Sequence, residues 1–270
     1  MRAALAAIET VFRYQPQIDL QTGRVAGAEA LVFLSGSSGD KASFGLIAQL
    51  EAAGLGLTLA ESWLQELCAD RRLWRRQTGA DLPIGMPVSQ PMLEDPGFLP
   101  LVLTALAESG LAASWLELEV PESALCSGDA AARSVAAANS AGLLIAIDRF
   151  TGARSSLELL TSLPFTKLRL DAELLAAAAN SASAGRLVDA TVAAARALGI
   201  VVCAAGVDTP ELLATAERRG LQLAQGAALG PPSDGDQLLA LVRGGGLDTA
   251  SLPVLALRDD ALQTPAPACR

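Results

Sequence analysis

Short apolar runs alternate with amphipathic stretches along most of the chain, and this pattern predicts strands and helices in turn. The first part predicts a hairpin, with strands over Phe12–Leu20 and Val25–Phe33 and a tight turn between them. Helical periodicity follows over about Phe44–Ala53 and Leu57–Gln77. Buried strands and helices are then predicted to alternate as far as residue 242.

This alternation predicts an α/β fold with a mostly parallel sheet. The further strands are predicted at Ile84–Val88, Leu116–Val120, Leu143–Ile147, Thr166–Leu170, Ile200–Ala204 and near Leu221–Ala224, and the further helices at Gly97–Glu108, Ala130–Ala141, Ser155–Leu163, Gly185–Leu198, Pro210–Arg219 and Gly235–Val242. The number of units fits a TIM-like (β/α)₈ barrel whose first strand is antiparallel. A doubly wound sheet is the alternative, but the glycine-rich phosphate loop that usually follows its first strand is absent from the sequence.

The character of the sequence changes after residue 243. We expect a barrel domain over residues 1–243 and a tail over 244–270, because three glycines lead into a weakly patterned segment with prolines near its end. No apolar stretch reaches membrane-spanning length, and Met1–Ile8 is too short for the core of a signal peptide. We therefore expect a cytoplasmic location.

Composition excludes several classes of chemistry. The chain has no histidine, so a Ser-His-Asp triad, a Cys-His dyad and a histidine-bound zinc are excluded, and any metal would need oxygen ligands. The net charge of −9 argues against a nucleic-acid polymer as partner. The one basic cluster, at Arg71, Arg72, Arg75 and Arg76, is interpreted as a solvated helix end rather than a binding patch.

Three acids stand where apolar strands end. Glu29, Glu119 and Asp148 each follow or close such a run, which predicts that their side chains converge at one mouth of the barrel. A ring of carboxylates is what a divalent metal needs. The residue after Asp148 is Arg149, and an arginine beside a metal ligand argues against a complete metal site.

Six ordered motifs resemble one protein family. They are Tyr14–Pro16 with Thr22–Arg24 and Glu29–Leu31, then Leu116–Ser123, Asp148–Leu157, Leu163–Pro164 with Lys167–Asp171, Ala204–Thr209, and Gln225–Gly226 with Pro231–Pro232. The sequence resembles EAL domains, which hydrolyse the bacterial second messenger cyclic di-GMP. This resemblance implies the barrel fold, a place in cyclic di-GMP signalling, Mg²⁺ or Mn²⁺ in active members, and a homodimer as a plausible assembly.

The resemblance also implies a metal site, from which this chain departs. In active members the ligands of the first metal fall at Glu29, Pro87, Glu119 and Asp148, and proline offers no side-chain oxygen. The second metal depends on an aspartate that is Arg149 here. We therefore expect no bound metal, with Glu29, Glu119 and Asp148 as a residual set.

The remaining family positions imply what else is lost or kept. The lysine that helps manage the attacking water falls at Arg169, the glutamate of the A-E-G motif at Ala205, and a ligand-contacting arginine at Phe33, so no functional catalytic residue is expected. The candidates for ligand binding are Gln15, Leu31, Arg149, Arg154, Asp208 and Gln225. Glu122 and Asp171 are expected to support loops.

Charge supports the same expectation. The family set sums to about −4, whereas the three acids here face two arginines and sum to about −1, which is too little to hold two divalent ions. We expect Arg149 to pair with the surviving acids, and Arg154 or Arg169 are alternative partners for them.

Three functions follow as hypotheses. The first is a catalytically inactive EAL-like regulator that acts by binding a protein. The second is a receptor that binds cyclic di-GMP without hydrolysing it, and the third, disfavoured by the substitutions, is a weak phosphodiesterase.

Overall fold

The strands of the computed structural model form one sheet. The structure describes residues 10–34, 41–42, 44–79, 81–126, 128–152 and 157–246. The strands are β1 (Thr10–Asp19), β2 (Val25–Leu34), β3 (Lys41–Ala42), β4 (Ile84–Pro87), β5 (Leu116–Pro121), β6 (Leu144–Phe150), β7 (Lys167–Leu170), β8 (Val201–Ala204) and β9 (Leu223–Ala224). Their order is β1-β9-β8-β7-β6-β5-β4-β2-β3, and a further pairing of β1 with β2 closes the first eight of these into a barrel.

Helices lie between the strands along most of the described chain. They are α1 (Phe44–Ala52), α2 (Gly56–Thr78), α3 (Gln90–Glu94), α4 (Phe98–Ser109), α5 (Glu122–Leu125), α6 (Asp129–Ser140), α7 (Leu157–Ser162), α8 (Ala172–Asn180), α9 (Ala182–Ala197), α10 (Pro210–Arg218) and α11 (Gly235–Arg243), with a short 3₁₀ turn at Ala113–Trp115. Several begin at a side-chain cap. Ser89, Thr209 and Asp234, for example, each accept a hydrogen bond from a backbone N–H in the first turn of their helix.

The direction of β1 distinguishes this barrel from an all-parallel one. β1 runs antiparallel to both of its neighbours, β2 and β9, while the other neighbouring pairs around the barrel are parallel. The hairpin turn explains the reversal: the Asp19 carboxylate accepts hydrogen bonds from the Gln21 and Thr22 N–H groups at 2.8 Å, and Gly23 takes a φ of 71°. The predicted barrel with an antiparallel first strand is confirmed.

The core lies on both faces of the strands. Residues that point outward meet the helices, as Tyr14 does where its ring packs edge-on against Trp74 with centroids 4.6 Å apart. Residues that point inward fill the barrel, and these include charged side chains on β5 and β7. The interior of the barrel is therefore polar along part of its height, which positions the site described below.

The structure departs from the sequence prediction at several elements. Strand β6 continues through Asp148 and Arg149 to Phe150, whereas the apolar run predicts an end at Ile147. Helices α3 and α5, the 3₁₀ turn and β3 are too short to carry a periodic signal, and the nine-residue helix α8 was not predicted. The first residues of the helix predicted at Ser155–Leu163 lie outside the described residues, as do residues 247–270, so the division after residue 243 stays a prediction.

The arginine cluster of α2 is divided between core and surface. Arg71 is fully buried and pairs with Asp81, whereas Arg72, Arg75 and Arg76 are exposed at the end of the helix. The interpretation of all four as a solvated helix end is therefore wrong for Arg71. In the part of the chain that the structure describes, no helix is both long enough and apolar enough to cross a membrane.

Candidate functional site

The guanidinium of Arg169 gathers three acids at the end of the barrel where the parallel strands finish, called the mouth below. Its Nη2 lies 2.6 Å from Glu29 Oε2, and its Nη1 contacts Glu119 Oε2 and lies 3.2 Å from Asp148 Oδ1. The acids come from β2, β5 and β6, and Arg169 comes from β7. The structure thus brings together the residues predicted as a residual metal set, around a cation that belongs to the chain.

The position of Glu119 depends on a glycine in the neighbouring strand. Gly85 on β4 has no side chain, and a Cβ at this position would overlap Glu119 Oε1. The Glu119 side chain is fully buried, and its Oε1 has no hydrogen-bond partner among the described residues. The Nε of Arg169 is likewise buried and unpartnered. Because both groups are buried, the loss of either one would leave the other as a buried charge without its partner, which is costly.

Burial and charge set the proton affinities of this cluster. Burial disfavours the charged form of Glu29, but Arg169 and hydrogen bonds outweigh burial and hold the Glu29 pKa below its ordinary value. Burial raises the pKa of Glu119, and although Arg169 opposes this, the neighbouring carboxylates reinforce it. Burial would lower the pKa of Arg169, but the acids around it raise that pKa well above its usual value. Arg169 therefore stays cationic.

A line of polar side chains, the polar chain, continues from the mouth into the barrel. Gln225 Nε2 donates to Glu29 Oε2 at 2.5 Å and to Gln15 Oε1 at 2.9 Å, and Gln17 Nε2 donates to Gln225 Oε1 at 3.1 Å. The polar chain ends at Lys167, whose Nζ donates to Gln17 Oε1 and Glu117 Oε1, each at 2.7 Å.

Sequence reasoning missed the inner half of this polar chain. Gln17, Glu117 and Lys167 were not predicted as site residues. The signal for two of them is the two-residue spacing: Glu117 precedes Glu119 and Lys167 precedes Arg169 by two positions, which places each pair on the same face of a strand. An apolar strand that carries two cations on one face indicates buried partners of opposite charge.

Arg149 has a smaller part than expected. Its side chain is 70% exposed, and it approaches Asp148 with Nε 3.5 Å from Oδ2. Its backbone takes a φ of 52°, a left-handed conformation that is uncommon for a residue other than glycine. The expectation that Arg149 holds the acids is thus met only at Asp148, because Arg169 occupies the centre of the cluster.

The residues predicted to support loops hydrogen-bond to backbone. Glu122 Oε2 accepts from the Thr151 N–H at 3.0 Å and from its hydroxyl at 2.8 Å. Asp171 caps α8 by accepting from the Glu173 N–H at 2.9 Å. Asp208, predicted as a ligand contact, accepts from the Ala227 N–H at 2.7 Å and so also fixes a loop.

A cavity of about 640 Å³ opens beside the acid cluster. Its wall includes the predicted ligand residues Leu31 and Arg149, together with Pro87 and Ala205, where the family pattern has an asparagine and a glutamate. Apolar side chains such as Trp63 and Met92 also line it. The predicted contact Arg154 lies outside the described residues. A cavity of this volume is large enough for a drug-sized ligand or for part of a dinucleotide.

A sequence profile of the EAL domain family matches residues 1–232. The chain belongs to the EAL domain family. The bifunctional diguanylate cyclase/cyclic di-GMP phosphodiesterase MucR of Pseudomonas aeruginosa is 32% identical over 244 residues, which is 90% of this chain and 36% of that protein. The protein Rv1357c of Mycobacterium tuberculosis is 34% identical over 237 residues, which is 84% of this chain and 76% of that protein.

Solved structures agree with this assignment. The phosphodiesterase of MucR in complex with cyclic di-GMP matches with a TM-score of 0.81 and 31% identity, over 88% of this chain and 97% of that chain. The first curated relatives are longer proteins, and this EAL domain spans only about 29 to 36% of their length. The family assignment therefore concerns the domain, and relatives of this kind carry further segments.

EAL domains use divalent metals, and the Klebsiella pneumoniae BlrP1 calcium/cyclic di-GMP complex has the same fold (TM-score 0.71, 23% identity, 83% of this chain and 56% of that chain). The donor set here does not fit such a metal. The three carboxylates face Arg169, and Pro87 offers no side-chain ligand. Among the described residues, no group of three or more acidic or cysteine side chains is arranged to hold a metal ion.

Proposed function

We propose that this EAL domain does not hydrolyse cyclic di-GMP and regulates cyclic di-GMP signalling by binding a protein. The observation that carries the first part is the pairing of Arg169 with Glu29, Glu119 and Asp148. A hydrolytic EAL site needs these acids free to hold the ions that activate water. Here they are already paired, and Pro87 and Ala205 remove two further polar side chains from the mouth.

Exposed arginines on the far side of the barrel support the second part of the proposal. Arg72, Arg75 and Arg76 lie at the carboxyl end of α2, which leads into the start of β4 and so lies opposite the mouth. Leu73 is 38% exposed among them. The chain as a whole has a net charge of −9, so this cluster of exposed arginines is a local basic surface. It suits an acidic segment of a protein partner, because a guanidinium can form two parallel hydrogen bonds with a carboxylate.

A cyclic di-GMP receptor is the second candidate. The cavity beside the acid cluster and the 31% identity to the MucR domain, which was solved with cyclic di-GMP, favour it. In that case the domain binds the dinucleotide and releases it unchanged. A weak phosphodiesterase ranks third, since it requires the metals that Arg169 opposes.

Hydrolysis is tested beside an active relative. The purified domain and the MucR phosphodiesterase domain are incubated with cyclic di-GMP and Mg²⁺ or Mn²⁺, and the linear dinucleotide is followed by chromatography. We expect turnover at least about 100-fold below that of MucR, because no activated water is generated. Turnover within tenfold of MucR would overturn the proposal.

Binding separates the two remaining candidates. Calorimetric titration with cyclic di-GMP, with and without Mg²⁺, tests the receptor: saturable binding without hydrolysis favours it over the protein-binding regulator. For the regulator, the triple variant Arg72→Glu/Arg75→Glu/Arg76→Glu should lose a partner that wild type retains at physiological salt. The double variant Arg133→Glu/Arg186→Glu changes exposed arginines elsewhere and serves as the control.

A further inference from the structure

The mouth of the barrel already contains a cation, and this cation is the guanidinium of Arg169. We propose that Arg169 takes the place of the divalent metal in this EAL domain, and that it excludes metal ions from the mouth. The inference rests on the proposed function in treating the site as non-hydrolysing. The proposed function and this inference can fail independently, because hydrolysis is measured with cyclic di-GMP and the exclusion of metal ions is measured with Mn²⁺ alone.

The contacts of Arg169 are those that a metal would compete for. Both of its terminal nitrogens are used: Nη2 binds Glu29, while Nη1 binds Glu119 and Asp148. Only 6% of the side chain is exposed, so water screens these pairs weakly. A metal ion that bound the same oxygens would have to lie within a few ångströms of the guanidinium, where two cations repel strongly.

The surrounding structure leaves the guanidinium little room to move aside. Glu29 is also held by Gln225, and Glu119 lies against Gly85 with no space for a larger residue there. Strand β7 is fixed on both sides by parallel pairing with β6 and β8. Displacing Arg169 would leave a buried guanidinium without carboxylates, which is costly.

Arg149 is the alternative guard, and geometry argues against it. It is also next to Asp148, but 70% of its side chain is exposed, and among the described residues it forms an ion pair with Asp148 and not with Glu29 or Glu119. A surface arginine can swing away from an entering ion at little cost. The exclusion should therefore depend on Arg169 and not on Arg149.

The test is a Mn²⁺ titration of wild type and Arg169→Met at pH 8, followed by the decrease of the free Mn²⁺ resonance signal. Wild type should bind no Mn²⁺ below about 1 mM. Arg169→Met removes the cation that the three carboxylates share, so its Mn²⁺ affinity should rise at least tenfold. Its melting temperature should fall without metal and recover with Mn²⁺, because the ion binds only the folded state.

Two variants serve as matched controls. Lys167→Met removes a second buried cation inside the barrel. Among the described residues it pairs with a single acid, Glu117, so the variant should lose stability without any recovery in Mn²⁺. Arg149→Met removes the exposed arginine and should not change Mn²⁺ affinity. Tight Mn²⁺ binding by wild type would overturn the proposal, and so would a gain of affinity in Arg149→Met equal to that in Arg169→Met.

A second substitution at the same position, to the shorter side chain of lysine, keeps the proposal testable if Arg169→Met does not fold. Arg169→Lys retains the charge but withdraws it from the acids, since an ammonium on a shorter stem cannot contact three carboxylates as a guanidinium does. Arg169→Lys should bind Mn²⁺ more tightly than wild type does, and no gain in affinity over wild type in the variants that fold would overturn the proposal.

Discussion

Gly85 determines how closely β4 can approach Glu119. A Cβ at this position would overlap Glu119 Oε1, and the buried Glu119 side chain is held by its pairing with Arg169. We expect Gly85→Ala to destabilise the protein by about 1–3 kcal/mol, as overpacking does in a rigid interior. Urea unfolding measures this. Gly56→Ala, at the start of α2 with its nearest atom 3.8 Å away, is the control and should be neutral or slightly stabilising. Equal effects in both variants would contradict this account.

Single residues also show where sequence reasoning reached its limit. Strand alternation places Glu119 and Arg169 inside the barrel, so their proximity could be predicted from the sequence. The sequence could not decide whether Arg149 or Arg169 is the main partner of the acids, because both are arginines next to or near them. In the structure Arg149 has a φ of 52° and a side chain that is 70% exposed. This conformation lies where the pairing of β6 with β7 is irregular, between Ile147 and Phe150, and the residue type alone does not predict it.

At the scale of elements, α2 packs on β1 through two partly buried acids. Glu66 accepts a hydrogen bond from the Phe12 N–H at 3.3 Å, and the Tyr14 hydroxyl donates to Asp70 at 2.5 Å. Burial raises the pKa of Glu66 and the nearby Asp70 adds to this, although the Phe12 N–H opposes it. Burial likewise raises the pKa of Asp70. This interface therefore favours protonated carboxyl groups.

The sign of the resulting pH dependence follows from the raised pKa. The stability that protonated Glu66 contributes is present below its ordinary pKa and is lost as pH rises through the raised value. Glu66→Gln cannot ionise, so its stability relative to wild type should increase between about pH 4 and pH 7. Urea unfolding at several pH values checks this, with the exposed Glu61→Gln on the same helix as control. A difference that does not change with pH would contradict the prediction.

Strands and long helices could be predicted because each carries a periodic pattern over enough residues. The hairpin of β1 and β2 also had its turn residues in the sequence, and the structure agrees with both strands to within two residues. The short helices α3 and α5 could not be predicted, since five and four residues are too few to show a period. Their positions depend on what the barrel packs against them. Helix α8 was missed, although its nine residues equal the length of α10, which was predicted.

Across the whole molecule, Lys167 joins three strands through the inside of the barrel. Its Nζ contacts Gln17 on β1 and Glu117 on β5. Lys167→Met should destabilise the protein by about 3–5 kcal/mol, because it leaves Glu117 buried without a partner. Lys167→Met/Glu117→Leu should recover most of that loss, since it removes both charges. A double-mutant cycle by urea unfolding measures the coupling, and additive losses would mean that the pair does not act as a unit.

A cation that is covalently part of a protein cannot be dialysed away or taken up by a chelator. If Arg169 supplies the positive charge at the mouth, the folded domain keeps the same charge balance whatever the free Mg²⁺ or Mn²⁺ of its surroundings. An EAL domain that depends on bound ions would change with metal starvation or excess. This domain would present the same surface under metal starvation and under metal excess, so any signal that it passes on would not depend on the concentration of free metal ions in the cell.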